Sequence, residues 1–235
     1  MSKKEAVMKG IKASIYSTAI AIALFAAAGQ AHAADPEGKF AIKGAGAMPC
    51  SAYVEARSRR LIDRLVTFEG WLHGYLTAYN RLEPQTFDIV AWQGNGLLTA
   101  ALEAYCKQHT DQRFEIAVSG LINTLRPDRL TAQSEMVRIS SGDTTLNIYH
   151  AVVVRIQEAL AKRKLYSGKA DGRYSDDMRR SVEAFQKGEK LPVTGLPDSR
   201  TLLALLPPST PPASDAPSPS GSKKPPAKSQ SAPSR

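Results

Sequence analysis

The chain of 235 residues has little of what most enzyme active sites are built from. It contains two cysteines and four histidines, and aromatic residues make up 7% of it. No His-Glu-x-x-His, Gly-x-Ser-x-Gly or phosphate-binding glycine-rich motif occurs in it. His73, His109 and His150 are too scattered along the chain to indicate a metal site. The sequence therefore predicts no catalytic residue, no metal site and no cofactor.

The chain also lacks a concentrated basic region, although its net charge is +9. Four lysines against one glutamate lie in residues 1–33, and four basic residues against one aspartate lie in residues 207–235. The central region keeps only a small excess of basic residues over acidic ones. This distribution argues against a nucleic-acid partner, since such proteins concentrate positive charge on one surface.

The first 33 residues have the composition of an export signal. After a lysine-rich start, an apolar stretch runs from Ala13 to Ala28, and Ala31-His32-Ala33 supplies the small residues that a signal peptidase recognises. We expect cleavage before Ala34 and a periplasmic location. An uncleaved membrane anchor is the alternative, but the stretch is shorter than the ~20 apolar residues that span a bilayer. We expect no membrane span after cleavage.

Cys50 and Cys106 both follow this signal. In an oxidising compartment such a pair is most simply a disulfide. Closing so long a loop would restrict the unfolded chain by roughly 4 kcal/mol in the chain-entropy model. Two buried free thiols and a catalytic Cys–His pair are the alternatives, but no local signature supports a nucleophilic cysteine.

Residues 34–128 are expected to form a helical domain. A first helical stretch covers residues 51–60, and three further segments carry apolar residues at helical spacing. These stripes are Phe68, Leu72, Tyr75, Leu76, Tyr79 and Leu82; Leu97, Leu98, Ala101, Leu102, Tyr105 and Cys106; and Phe114, Ala117, Val118, Leu121, Ile122 and Leu125. Pro84 and Pro127 should end the first and third of them. Thr110-Asp111 are plausible caps for the third.

Residues 129–149 connect this domain to the next. Partly alternating β-branched residues at 135–140 and 144–149 flank Ser141-Gly142-Asp143, which predicts a short β-hairpin. An irregular linker is the alternative. Because an isolated hairpin is marginally stable, we expect it to pack on the following domain.

Residues 150–206 indicate three short helices around one small core. The apolar residues at helical spacing are Val152, Val153, Ile156, Leu160 and Leu165; Met178, Val182 and Phe185; and Leu202 and Leu205. Ser175 and Asp198 stand where helix N-caps are expected. Asp176 and Asp177 suit the first turn of a helix, which explains them better than a catalytic carboxylate pair does. Residues 207–235 are rich in proline and serine, which predicts a disordered tail.

The same region resembles the peptidoglycan-binding domain family. The residues that carry the resemblance are Val153-Val154-Arg155-Ile156-Gln157, Tyr166-x-Gly168-x-x-Asp171-Gly172, Val182-x-x-Phe185-Gln186 and Gly195-x-x-Asp198-x-x-Thr201-Leu202. The resemblance implies a three-helix module that binds the cell wall, with its ligand cleft near the tyrosine-containing loop and the second helix.

Five residues are the candidate peptidoglycan contacts under this resemblance: Tyr166, Asp171, Arg173, Tyr174 and Gln186. The tyrosine rings suit stacking on sugars. Three of the five have structural alternatives. Asp171 fits a turn residue bonded to backbone, Tyr174 fits core packing, and Gln186 fits a hydrogen bond to a loop.

A weaker resemblance covers residues 40–126. It rests on Cys50, Gly70-Trp71-Leu72-x-Gly74-Tyr75, Tyr105-Cys106 and Phe114…Ala117, and it is shared by HdeA/HdeB-type acid-stress chaperones and Rap/Tai-type immunity proteins. Thr110 replaces the proline usual after the second cysteine.

The sequence therefore predicts a mainly α protein: a disulfide-linked helical N-terminal domain plus a small three-helix peptidoglycan-binding domain, with a short β-hairpin between them. The function expected is a non-enzymatic periplasmic protein that anchors a helical interaction domain to the wall, where this domain contacts another envelope protein or stabilises the wall contact. The alternatives are a wall-tethered acid-stress chaperone or immunity-type protein, and a non-catalytic regulator of a cell-wall hydrolase.

Overall fold

The computed structural model describes Asp35 and residues 37–209. The expected export signal and nearly all of the expected tail lie outside the described residues. Contacts divide the chain after Ile42 into two compact units. In the first, the Asp35 carboxylate accepts hydrogen bonds from the backbone N–H groups of Glu37 and Lys39. The second begins at Lys43 and contains all the helices and strands named below.

The fold of this second unit is mainly α-helical, as predicted. Its helices are α1 (Cys50–Ser58), α2 (Ile62–Leu82), α3 (Asn95–Gln108), α4 (Phe114–Leu125), α5 (His150–Lys162), α6 (Asp176–Gly188) and α7 (Ser199–Leu205). Strands β1 (Met136–Ser141) and β2 (Thr144–Tyr149) pair antiparallel between α4 and α5. Short 3₁₀ turns precede α1 at Gly44–Ala47 and follow α4 at Arg126–Asp128. In the described part of the chain, no helix combines the length and the apolar character that crossing a membrane requires.

Helices α1 to α4 enclose an aromatic core. The rings of Tyr53, Phe68 and Phe114 contact one another with centroids 4.8 to 5.1 Å apart, and all three side chains are buried. Burial raises the pKa of Tyr53 to about 12. Its hydroxyl donates to the backbone oxygen of Thr99, so the polar end of this core residue is satisfied.

The predicted disulfide is confirmed. Cys50 and Cys106 are bonded, and their Cα atoms lie 4.8 Å apart. The bond joins the first residue of α1 to the last turn of α3, and both cysteines are fully buried in the aromatic core.

The start of α4 differs from the sequence expectation. The helix begins at Phe114 and its N-cap is Arg113, without a side-chain cap, so Thr110-Asp111 do not cap it. The N–H of Phe114 donates instead to the backbone oxygen of Met48, and the N–H of Cys50 donates to that of Gln112. A tertiary pairing between the starts of α1 and α4 therefore does the work of a local cap.

The hairpin packs on the C-terminal helices, as expected. Ile139 of β1 and Ile148 of β2 are buried with the apolar faces of α5, α6 and α7. The predicted caps are also confirmed. The Ser175 hydroxyl accepts the N–H of Met178, and the Asp198 carboxylate accepts the N–H of Thr201.

A packed junction connects the aromatic core of α1 to α4 with the C-terminal cluster, which consists of the hairpin and helices α5, α6 and α7 around their shared core. The segment after α2 pairs with the segment after α4 through a β-bridge between Asp88 and Leu130. The hydroxyl of Tyr149 donates to the Asp88 carboxylate at 3.0 Å. From α5, the Arg155 guanidinium donates to the backbone oxygens of Asp128 and Arg129. These bonds fix the C-terminal cluster against the residues that leave the helical bundle.

Removal of the disulfide tests its contribution to stability. We expect Cys50→Ala/Cys106→Ala to lower the free energy of unfolding by about 4 kcal/mol, because the unfolded chain regains the entropy of an open loop. Urea unfolding followed by circular dichroism measures this. Reductant should destabilise the wild type and leave the double variant unchanged. Equal unfolding midpoints for the wild type and the double variant in the absence of reductant would contradict the prediction.

Candidate functional site

The loop between α5 and α6 carries most of the residues predicted to bind a ligand. We call residues 166–174 the Asp-Gly loop. It follows α5, whose C-cap is Arg163, and it precedes the Ser175 cap of α6. Its backbone makes few regular hydrogen bonds, so side chains from neighbouring helices must hold its shape.

One buried glutamine of α5 holds the Asp-Gly loop. The Gln157 side-chain oxygen accepts the N–H of Gly172 at 2.8 Å. Its amide nitrogen donates to the Asp171 carboxylate at 3.2 Å and to the backbone oxygen of Arg173 at 3.0 Å. Gln157 has no exposed surface. Since buried polar groups are costly to leave unpaired, these bonds select one loop conformation.

Glycine is required at the centre of this loop. Gly172 has a φ of 73°, a region that side chains disfavour. A Cβ atom at this position would lie 2.1 Å from Nε2 of His150. The His150 ring is itself fixed, because Nε2 lies 2.9 Å from the backbone oxygen of Asp171. The first residue of α5 therefore packs directly beneath the turn.

Asp171 acts as the turn residue, in agreement with the structural alternative. Its carboxylate accepts the backbone N–H of Arg173 at 3.0 Å. This bond, together with the one from Gln157, holds the pKa of Asp171 below its ordinary value. The residue is exposed, so its anionic carboxylate also faces solvent beside the side chain of Arg173.

The interpretation of Gln186 as a ligand contact does not fit its surroundings. Its side-chain oxygen accepts the N–H groups of Thr194 and Gly195. Its amide nitrogen donates to the backbone oxygen of Leu196 and to the Thr201 hydroxyl. The side chain is fully buried and its polar atoms are all bonded. It holds the loop before α7, which is the alternative that the sequence left open.

The two buried glutamines have the same structural role, which is to hold a loop. The sequence analysis did not assign this role to Gln157. Each follows a valine by four residues and a large apolar residue by one, as in Val153-x-x-Ile156-Gln157 and Val182-x-x-Phe185-Gln186. Each accepts the N–H of a glycine with positive φ, 73° at Gly172 and 65° at Gly195. The repeated spacing was the signal for this role.

Tyr174 joins the two loops. Its hydroxyl donates to the backbone oxygen of Gly195 at 2.6 Å, and burial raises the pKa of the phenol well above its usual range. Its ring packs against the C-terminal core. Most of this side chain is therefore committed to the fold, in agreement with the core-packing alternative.

The groups left for a ligand lie on the outer side of the Asp-Gly loop. Lys169, Asp171 and Arg173 are exposed. Tyr166 is half-buried and packs against the C-terminal core, its hydroxyl donates to the backbone oxygen of Lys169 and accepts from Gln157, and only the remaining part of its surface is free. We call these four residues the loop surface. They place two cations, one carboxylate and part of one aromatic ring within one loop, a set that can bind sugar hydroxyls and carboxylates.

Three cavities among the described residues are lined by residues outside the Asp-Gly loop, although His150, which lines one of them, also contacts this loop. One of about 500 Å³ is lined by α5, Trp92 and residues 205–209, and another of about 480 Å³ is lined by residues 130–135 and the start of α5. A third, of about 260 Å³, lies between the hairpin and the start of α7. None of the five predicted contact residues lines them. Within residues 37–209, no three or more histidine, cysteine or acidic side chains are grouped to hold a metal ion.

Comparison with known proteins identifies the C-terminal cluster. Residues 149–205 match the family model described as putative peptidoglycan binding domain. The match begins at the last residue of β2 and ends at the last residue of α7, so it includes both glutamines and both loops. It confirms the resemblance seen in the sequence and covers less than half of the chain. No curated protein and no solved structure gives a significant match.

Substitution of the glutamines tests their structural role. We expect Gln157→Met and Gln186→Met each to lower the free energy of unfolding by about 1–3 kcal/mol, because a buried glycine N–H loses its only side-chain acceptor. Urea unfolding measures the loss, and faster hydrogen exchange at Gly172 or Gly195 locates it. Gln133→Met is the matched control, because this glutamine is exposed. Equal midpoints for all three variants would contradict the assignment.

Proposed function

We propose that this protein is exported to the periplasm and binds peptidoglycan through residues 149–205, without catalysing a reaction. The observation that carries the proposal is the match of this region to the peptidoglycan-binding family. The rigid setting of the Asp-Gly loop supports it, since a preformed surface loses little entropy when it binds a polymer.

The chemistry of the loop surface suits peptidoglycan. Its glycan strands offer hydroxyl and acetamido groups, and its stem peptides carry carboxylates. Arg173 and Lys169 supply cationic donors for carboxylates, and Asp171 supplies an acceptor for hydroxyl or amide groups. The exposed part of the Tyr166 ring offers an apolar face for a sugar. Tyr174 and Gln186 contribute by holding these groups in place.

The helical N-terminal region is proposed as an interaction domain that the wall module anchors. An export signal at residues 1–33 and the Cys50–Cys106 disulfide both fit an oxidising compartment. The bonds of Tyr149 and Arg155 at the junction support a fixed presentation of this domain, because they leave little freedom between the two clusters.

Retention on purified peptidoglycan sacculi tests the proposal. The chain from Ala34 onward should sediment with sacculi, and Arg173→Ala should weaken binding by roughly 2- to 10-fold, which corresponds to the loss of about 0.5–1.5 kcal/mol for one typical hydrogen bond. Binding should also weaken as salt increases.

Arg113→Ala is the matched control, because it removes the same charge from an exposed position in the helical region. It should bind like the wild type. Absence of the folded wild-type protein from the sacculus pellet would refute wall binding. Equal losses for the two variants would refute the assignment of the loop surface.

A further inference from the structure

Helix α2 has an exposed face that no other described element covers. Six residues lie along this face, because positions seven apart return to nearly the same side of an α-helix and the two series are adjacent. They are Asp63, Thr67, Gly70, Gly74, Thr77 and Arg81, and all six are exposed. The opposite side of α2 supplies Phe68, Leu72 and Leu76 to the aromatic core.

The centre of this face is unusually flat. Glycine is unfavourable inside a helix, yet Gly70 and Gly74 both lie in the middle of α2. A Cβ atom at either position would meet no atom within 4 Å, so packing within the described chain requires neither glycine. The hydroxyls of Thr67 and Thr77 donate to backbone oxygens of their own helix. The centre therefore presents no unsatisfied polar side chain and permits close approach of another backbone.

Exposed large apolar side chains flank this face towards the two ends of α2. Ile62 and Val66 lie on one side and are 65% and 63% exposed, while Leu82 lies on the other side and is 74% exposed. Ala78 is exposed next to Leu82 along the same helix. Such side chains gain stability when a partner removes them from water.

The face is complementary to itself in the antiparallel direction. If a second α2 crosses at the level of Leu72, Gly70 meets Gly74, and Thr67 meets Thr77. Asp63 then meets Arg81 of the second copy, and the two-fold axis produces this pair twice. Among the residues that the structure describes, neither Asp63 nor Arg81 makes an ion pair within its own chain.

We propose that α2 is the interface of an antiparallel homodimer with two-fold symmetry. Isologous dimers use one self-complementary surface twice, which is the property that the order Asp, Thr, Gly, Gly, Thr, Arg supplies. Charge complementarity selects a second copy of this chain, because both ends of the face find an opposite charge only in the antiparallel arrangement. The helix dipole alone accounts for an acid near the N-terminus and a base near the C-terminus, so an experiment must separate the two explanations.

Charge exchange provides that separation. Analytical ultracentrifugation of the chain from Ala34 onward should show a dimer. Asp63→Arg and Arg81→Asp should each raise the dimer dissociation constant at least about tenfold, because each places like charges opposite one another. The double exchange Asp63→Arg/Arg81→Asp should restore dimerisation, although it reverses both charges relative to the helix dipole. Arg138→Asp, at an exposed strand position, is the control and should leave the dimer unchanged.

A second variant probes the close approach. Gly74→Leu meets no atom of its own chain and removes an unfavourable helix residue, so we expect a monomer that keeps its native circular dichroism spectrum together with loss of the dimer. A monomeric wild type at all concentrations would overturn the proposal, and that result would include the case in which another protein covers α2. Failure of the double exchange to restore the dimer would also overturn it. No peptidoglycan is present in any of these experiments, so their outcome is independent of the wall-binding test.

Discussion

Hydrogen bonds from two buried glutamines to two glycines are the constraint on which the candidate site depends. In the C-terminal cluster, residues 163–175 connect α5 to α6 and residues 189–198 connect α6 to α7, without helix or strand. Gln157 and Gln186 hold these connections in place. The side-chain oxygen of each accepts the N–H of a turn glycine, which has no hydrogen-bond partner in a helix or strand. The cost of leaving these buried groups unpaired excludes other loop conformations. The positions of Asp171 and Arg173 follow from that selection, because the same Gln157 amide bonds to both residues.

The junction extends this rigidity to the helical bundle. Tyr149 ends the hairpin and bonds to Asp88, which lies in the segment between α2 and α3. Burial and, after it, this bond to a carboxylate raise the pKa of the Tyr149 phenol, which extends to higher pH the range in which its hydroxyl donates to Asp88. A ligand held by the Asp-Gly loop would therefore orient the whole described unit. Under the proposed function, the wall contact fixes both the position and the orientation of the bundle.

Periodicity was sufficient to predict most of the fold from the sequence. Apolar residues at helical spacing predicted α2 to α6, and Ser175 and Asp198 predicted the starts of α6 and α7, because these signals are local. The start of α4 could not be predicted, since its first N–H bonds to Met48, more than sixty residues earlier in the chain. Gln186 was assigned to the ligand for a similar reason. A glutamine on a helix normally faces water, and only the loop around Gly195 makes its burial favourable. The valine–glutamine spacing occurs twice in the chain, at Gln157 and at Gln186. Comparison of the two occurrences in the sequence would have indicated a shared structural role.

Weak wall binding by the loop surface of one chain and dimerisation through α2 would together give strong retention on the wall. Contacts made by solvent-exposed charges contribute little individually, with a median of about 0–1 kcal/mol, so the loop surface of one chain should bind a polymer weakly. Peptidoglycan repeats its structure along every strand, and a protein with two linked modules converts the second contact into an intramolecular event. Such linkage raises retention by roughly 10²–10⁴ without any new contact to the ligand. A dimer formed through α2 would leave the C-terminal cluster of each chain free to bind, because the face belongs wholly to the helical region. Weak single contacts would then allow each module to exchange between neighbouring strands while the pair stays attached.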